Sequence, residues 1–587
     1  MTTTDKRSKG TSRREFLRDA GLLGVSIAGA GLLQACGSPE VISENPPAST
    51  TPETLPSGPD VMSADMAAKK WNFEIPPDPI PDSEIANTVE ADIIVVGAGI
   101  SGLVTANSAA EHGAKVVLIS ASSKPIFRGG SFHAPWSKAM EAAGIDRYDV
   151  DRFFRREFSN ASYNVDQDKW YKFYNNAPEA MNWLIDKMEA YGYKVGFEKG
   201  NWDPDFGPME TPPGSHGFYS TESSPVWSIP GLSAEAVAHV LAETAKASGV
   251  EIIFKMTAKQ LVRENNNTGR VTAVIAQGAD GKYIKYVGRK AIVLATGDFS
   301  ADRDMMAKYC PWAMPLLDDT GSQGYDTTFK FGGLFKGDGH KMGLWVGAAW
   351  QKTYPCAPMI QGSWVASNQP YGSHRGLVVN KNGYRYGNED VNGPLSAIQQ
   401  MRQPDMAAYC IWSGNYAEAA APWYSFGMDV QDAPIPPEQI RQQWEQAVEE
   451  GTMVKGNTVQ EVIEKLGLPV EATLATVKRY NELCHKGVDE DYHKRPELMV
   501  PIEEAPFYGA FMSGLTFLTV CGGLRTNSNM QVCDENDQPI PGLFNVGIMV
   551  GDTYANIYNF LVAGHNYGMN CLTMGYLTGR AIAEGTV

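Results

Sequence analysis

From residue 91 the chain carries an unbroken apolar run, Ile93-Ile94-Val95-Val96, β-branched throughout and closed by Gly97. With no polar alternation, such a run predicts a strand buried on both faces of a parallel sheet. The pattern from Leu103 to Ala110 predicts a helix, and residues 115–119 predict a second strand. Between residues 251 and 296 the pattern becomes β-rich, predicting a meander that ends in a closing strand, Ala291-Ile292-Val293-Leu294-Ala295. Mixed segments follow, and helical periodicity returns between about residues 437 and 485 before residues 511–580 predict strand, turn and helix again. No repeat of 20 to 50 residues is present. The expected class is α/β: a discontinuous domain over residues 89–344 and 506–587, with an α+β capping segment inserted at 345–505.

Upstream of residue 89 the pattern is an address and a tether. Ser12-Arg13-Arg14-Glu15-Phe16-Leu17 precedes a weakly apolar, glycine-rich run over residues 21–35, too short to span a bilayer permanently. Residues 1–36 resemble a twin-arginine export signal, and Leu33-Gln34-Ala35-Cys36 is similar to the lipobox at which a lipoprotein is cleaved and acylated. Two outcomes stay open: a lipid anchor on Cys36, or a plain cleaved signal that releases the protein into the extracytoplasmic space. Residues 37–88 are dense in Pro, Ser, Thr, Glu and Asp and read as a linker.

Composition narrows the class of partner. A chain of 587 residues with 43% hydrophobic content can bury a large core. A net charge of -17 repels nucleic acid and anionic lipid heads, so neither is an expected partner. The eight cysteines are scattered with no C-x-x-C spacing, which argues against c-type haem and iron–sulfur ligation, and no metal site is expected.

The chemistry begins at Gly97-Ala98-Gly99-Ile100-Ser101-Gly102, directly after the first strand. Glycines there turn the chain sharply, bring its backbone to a pyrophosphate and pack the helix on the strand, while helix N-terminal amides face the phosphates. The acidic residue expected to hold the ribose at the end of the second strand is replaced by Ser120.

Four further segments stand in order: Arg128-Gly129-Gly130-Ser131, Ala295-Thr296-Gly297-Asp298-Phe299, Gly337-Asp338-Gly339-His340-Lys341-Met342, and Ile540-Pro541-Gly542-Leu543-Phe544-Asn545-Val546-Gly547. With the first motif they resemble the FAD-dependent fumarate reductase and succinate dehydrogenase flavoprotein superfamily, which includes urocanate reductase-like and 3-ketosteroid dehydrogenase-like enzymes. The resemblance spans about residues 90–587 and implies a Rossmann-like FAD-binding domain with a capping domain. It implies flavin contacts at Gly129, Gly130, Ser131, Thr296, Gly297, Asp298, Asp338 and Gly547. It also implies a final helix, opened by Gly564, His565, Asn566 and Gly568, aimed at the flavin pyrimidine. Unpaired amides at such a helix start would stabilise a reduced, anionic flavin.

In the fumarate-type relatives two histidines and two arginines hold a dicarboxylate. Here Gly393 stands where the acid arginine is expected, both histidines are missing, and no arginine occurs from residue 526 to 578. A buried carboxylate needs paired cations, so fumarate is not the expected substrate. Tyrosines remain: Tyr354, Tyr554 and Tyr558, read either as groups that grip a ketone and donate a proton or as packing aromatics. Arg375 sits near the relatives' proton-relay arginine, or serves a structural ion pair; Arg385 with Glu389 reads as structural. His565 is read equally as a site residue or as a surface or capping one, whereas His133, close enough to touch the ring or a substrate, is read more readily as a histidine satisfied by backbone.

The resulting expectation is an exported flavoprotein reductase that moves hydride from FAD to a C=C bond conjugated to a carbonyl. Alternatives are dehydrogenation of a ketone such as a 3-oxosteroid, and a flavin-carrying electron-transfer or binding lipoprotein. A single dinucleotide motif implies a separate electron donor, a membrane or cytochrome-type protein.

Overall fold

The computed structural model describes residues 71–197, 212–220, 232–317, 324–326, 332–353, 357–361, 376–390, 393–419, 437–512, 515–555, 558 and 562–587. Tyr354, Arg375 and the expected signal over residues 1–36 lie outside them.

Eight strands form the main sheet: β1 (Ile85–Val96), β2 (Val116–Ile119), β3 (Glu251–Ile253), β4 (Met256–Arg263), β5 (Val271–Gly278), β6 (Tyr283–Leu294), β7 (Gln531–Cys533) and β8 (Pro539–Asn545). Their order is β7-β8-β6-β1-β2-β3, and β5 and β4 branch from β6. The β8-β6-β1-β2-β3 pairings are all parallel, whereas β4, β5 and β6 pair antiparallel. The apolar run of β1 is buried on both faces. Ile93 and Val95 pack toward α1 (Ile100–Glu111) and α2 (Met574–Glu584), while Ile94 and Val96 pack toward the meander. Burying each such side chain is worth about 1.5–3 kcal/mol. One strand, β6, closes both structures: Tyr283–Leu294 pairs with β5 on one side and with β1 on the other.

The second lobe has a four-stranded antiparallel sheet in the order Leu377–Asn380, Ala408–Trp412, Phe507–Met512, Val454–Gly456. Helices Pro437–Glu449, Val459–Lys465 and Val470–Lys486 cover it, with Trp412, Trp444 and Tyr416 in one core and Ile411, Val462 and Tyr480 in another. Arg385 grips Glu389 (2.7 and 2.8 Å) and Asp489 (2.7 and 3.0 Å) bidentately, an ion-paired hub at the cap turn. Phe507–Met512 is an inner strand of this sheet, so the capping sheet runs past residue 505. Strand Ala357–Gln361 pairs instead with Thr516–Cys521.

The linker expected to reach residue 88 ends earlier. Trp71 and Phe73 are buried against Phe299, Met305 and Tyr309, and Trp345 Nε1 donates to the Phe73 carbonyl at 2.8 Å. Two aromatic side chains in an otherwise polar, proline-rich stretch supply the apolar area that docks it, and Ile85 already begins β1.

Candidate functional site

The glycine motif turns between β1 and α1. Gly97 adopts φ 118°, and a Cβ there would lie 2.2 Å from the Ala295 carbonyl oxygen; a Cβ on Gly102 would lie 2.0 Å from that of Gly97. Both positions are closed to any side chain, as close backbone approach to a phosphate requires. A cleft of about 1600 Å³, its mouth included, opens at this turn. Gly97, Ala98, Gly99 and Ser101 line its first section, with Ser120 and Ser122 beyond, their hydroxyls 2.7 Å apart. Thr296, Gly297 and Asp338 line the middle, and Asp338 accepts from the Tyr325 hydroxyl at 3.0 Å.

At the far end Gly129, Gly130 and Ser131 face Gly564 and Asn566. The two segments interlock, since a Cβ on Gly564 would meet the Ser131 carbonyl oxygen at 2.2 Å and one on Gly568 would meet that of His133 at 1.6 Å. The helix that follows begins with a π-helical segment, Tyr567–Thr573, a rare geometry concentrated at functional sites, and continues as α2.

Gly102, Gly547 and Gly568 do not line the cleft; each lets another segment approach, Gly547 standing against Ser101. Asp298 does not line it either. It is fully buried, and its carboxylate accepts from Ser300 Oγ (2.8 Å) and Thr519 Oγ1 and pairs with Arg128 at 3.3 Å. Arg128 thus places a cation on the cleft wall, and it also donates to the Leu518 carbonyl. Burial works against its charge and Asp298 offsets this. The signal was present in the sequence: an acid replacing a motif glycine at 298, and an arginine before Gly129-Gly130.

Beside the far end lies a second cavity of about 600 Å³, sharing Tyr558 with the cleft and also lined by Tyr554, His565, Trp170, Asn160 and Glu157. The Tyr554 hydroxyl meets His565 Nδ1 at 2.9 Å; the Tyr558 hydroxyl donates to the Val562 carbonyl at 3.2 Å and accepts from the Asn566 amide at 3.3 Å. Burial pushes both phenols well above their usual range and holds His565 down at about 3, so all are neutral. His133 stacks on His565 with ring centroids 5.8 Å apart and is also neutral through burial, but lines neither cavity.

The segment before Tyr554 is held at three successive carbonyls by the start of α-helix Gln167–Ala190. Lys169 Nζ donates to Gly551 (2.9 Å), the Asp166 amide to Asp552 (2.7 Å) and Trp170 Nε1 to Thr553 (2.9 Å). The Asp552 carboxylate accepts from the amides of Lys352 and Thr353, immediately before Tyr354. Among the described residues no cluster of three or more His, Cys, Asp or Glu is arranged to hold a metal.

The model of the FAD binding domain family matches residues 92–559. The chain belongs to this family. The closed glycine turn, the long cleft and the amide-bearing far end fit FAD, and the protein is an FAD-dependent oxidoreductase of a family that includes reductases and dehydrogenases. It is similar to vinyl phenol reductase of Lactiplantibacillus plantarum, 26% identical over 83% of this chain and 94% of the relative. It is likewise 26% identical to urocanate reductase of Eggerthella lenta, over 80% of this chain and 72% of that one. In fold it resembles the 3-ketosteroid-Δ4-(5α)-dehydrogenase of Rhodococcus jostii RHA1, with TM-score 0.65, 23% identity and coverage of 86% of this chain and 99% of that one. The open flavocytochrome c3 fumarate reductase shares the fold at TM-score 0.59 and 19% identity, over 88% of this flavoprotein and 83% of that chain.

Proposed function

We propose that this flavoprotein reduces an activated C=C bond conjugated to a carbonyl, in a small substrate other than fumarate. The observation that carries the reading is the second cavity: it adjoins the cleft at Tyr558, is walled by Tyr554 and Tyr558, and has no lysine or arginine among its described lining residues. A dicarboxylate would be desolvated there without a cation, which is prohibitive, whereas a ketone needs only hydrogen-bond donors. Bound FAD supplies the hydride-transfer chemistry.

The chain's own part is to orient the carbonyl and deliver a proton. One of Tyr554 and Tyr558, its hydroxyl turned from its protein partner, hydrogen-bonds the carbonyl oxygen, and the other passes its phenol proton to the α-carbon. Burial keeps both phenols protonated at rest, which is the form a proton donor needs. Dehydrogenation of a ketone such as a 3-oxosteroid, the reverse reaction at the same residues, is the alternative reading.

The test is to reduce the purified holoprotein with dithionite or viologen and to follow its reoxidation by enones, enoates and steroids. Tyr554→Phe or Tyr558→Phe is expected to slow turnover by roughly 10²–10⁴-fold with flavin retained. Unchanged rates in both variants refute the tyrosine role.

Export by the twin-arginine route to the extracytoplasmic face of the membrane or the periplasm forms part of the proposal, supported by Arg13-Arg14 and the apolar run after it. That route carries folded cargo, consistent with FAD insertion before export. Electrons then come from a separate membrane or cytochrome-type donor. Mass spectrometry of the mature N-terminus separates an acylated Cys36 from a plain cleaved end, and retention of residues 1–35 counts against export.

A further inference from the structure

We propose that Glu157 makes the chamber beside Tyr554 and Tyr558 selective for unsaturated compounds that carry a hydrogen-bond donor, such as a phenol hydroxyl, and that it excludes carboxylates. The proposal rests on that chamber being the substrate site and adds to it the class of substrate admitted.

Glu157 lies on α-helix Val150–Asn160, whose other buried residues are Phe153, Phe154 and Phe158. An acid on such an apolar face is costly unless its charge is used or compensated. Its side chain is 8% exposed, and it lines the chamber together with Asn160, three residues on and on the same helix face. Arg156 Nε pairs with Glu157 Oε1 at 3.4 Å, but Arg156 is not part of the chamber wall. Among the described lining residues Glu157 is therefore the one formal charge, and it is negative.

The remaining wall points the same way. Trp170, Tyr554 and Tyr558 make it aromatic, and Ala161, Val165 and Val562 make it apolar, which suits a flat aryl body. The polar groups are segregated in kind. The phenols are neutral donors for a carbonyl oxygen, and the carboxylate is an acceptor only, so from the substrate it can take a hydrogen bond only from a donor. The field of Glu157 also acts on Tyr554 and Tyr558, adding to the dominant effect of burial in keeping them protonated. An aryl enone with a hydroxyl on its ring satisfies both kinds of group, while a ring carboxylate places like charges together in a poorly solvated space.

The experiment uses the flavin-loaded protein and three matched probes: 4-hydroxybenzylideneacetone, its 4-methoxy ether and its 4-carboxy analogue. Turnover is read by reoxidation of the reduced protein, and binding by perturbation of the oxidised flavin's absorbance. The wild type is expected to favour the phenol over the ether by roughly 10- to 100-fold, the scale of a hydrogen bond to a charged acceptor, with the carboxylate poorest. Glu157→Gln is expected to improve the carboxylate relative to the phenol by about tenfold or more, and Glu157→Asp to keep the wild-type ranking. An unchanged ranking in Glu157→Gln, or a wild type that binds the carboxylate as tightly as the phenol, overturns the proposal. The second criterion decides by itself if Glu157→Gln loses its flavin. Failure of all three probes to bind or turn over tells against the chamber itself, and so against both readings. Tyrosine-dependent turnover with a Glu157-independent ranking overturns this one alone.

Discussion

At the scale of single residues, the replacement of a motif glycine by Asp298 is explained by Arg128. The acid has donors on both oxygens, and the arginine beside it contributes a cation to the cleft wall. Removing one member of a buried pair leaves the other charge uncompensated, which costs about 3–5 kcal/mol. Asp298→Asn is accordingly expected to lose that much stability in denaturant unfolding of the holoprotein. The double variant Arg128→Met/Asp298→Asn is expected to recover a substantial part of it, and additive losses would show that the two residues do not act as a pair. Neither position was singled out as one of a pair by the sequence pattern, because residues 170 apart meet only in the fold.

At the scale of elements, the controlling contact is helix Gln167–Ala190 against residues 551–553. The fully buried Lys169 and the indole of Trp170 act with the Asp166 amide as a clamp on the backbone that presents Tyr554. Proton transfer is sensitive to placement at the ångström level, more so than binding, so loosening the clamp acts on the chemical step. Lys169→Met is expected to lower kcat by about 10- to 100-fold while changing KM little and keeping the flavin. A variant with wild-type kcat, or with KM and kcat altered together, removes Lys169 from the role of positioning residue. The same helix start orders Trp170 for the chamber wall, so the clamp and the aromatic wall are built from one turn.

Across the whole molecule, burial has created a set of neutral histidines. Burial holds His216 and His340 down at about 4 and His565 at about 3, and it pushes His133 down as well. In the unfolded chain each has the ordinary value near 6.5. Below that pH the unfolded state binds protons that the folded state refuses, so unfolding takes up protons and stability falls with pH. The contribution is fully present above about pH 6.5 and is lost progressively as pH falls toward 4. The melting temperature is therefore expected to drop steeply over this window. A flat profile between pH 6.5 and 4 would mean that these rings are protonated in the native state.

The sequence by itself determined the cofactor end. A β-branched run, a glycine turn and a helix are adjacent in the chain, and their chemistry is backbone chemistry: Gly97 and Gly102 are required by contacts with Ala295 and with Gly97 itself. The β-rich stretch at 251–296 was legible as a meander for the same local reason, although β6 serving two pairings at once was not. Where the linker ends was decided by Trp71 and Phe73, whose docking surface comes from residues 299–345. The chamber was decided by tertiary structure alone. Its walls come from residues 157–170 and 554–565, and whether a tyrosine faces a substrate or merely packs depends on side-chain surroundings that no periodicity encodes. Glu157 carried no signal of its own in the sequence; it faces inward because Phe153, Phe154 and Phe158 are buried, and hydrophobic burial orients a whole helix and carries along a charge on its apolar side.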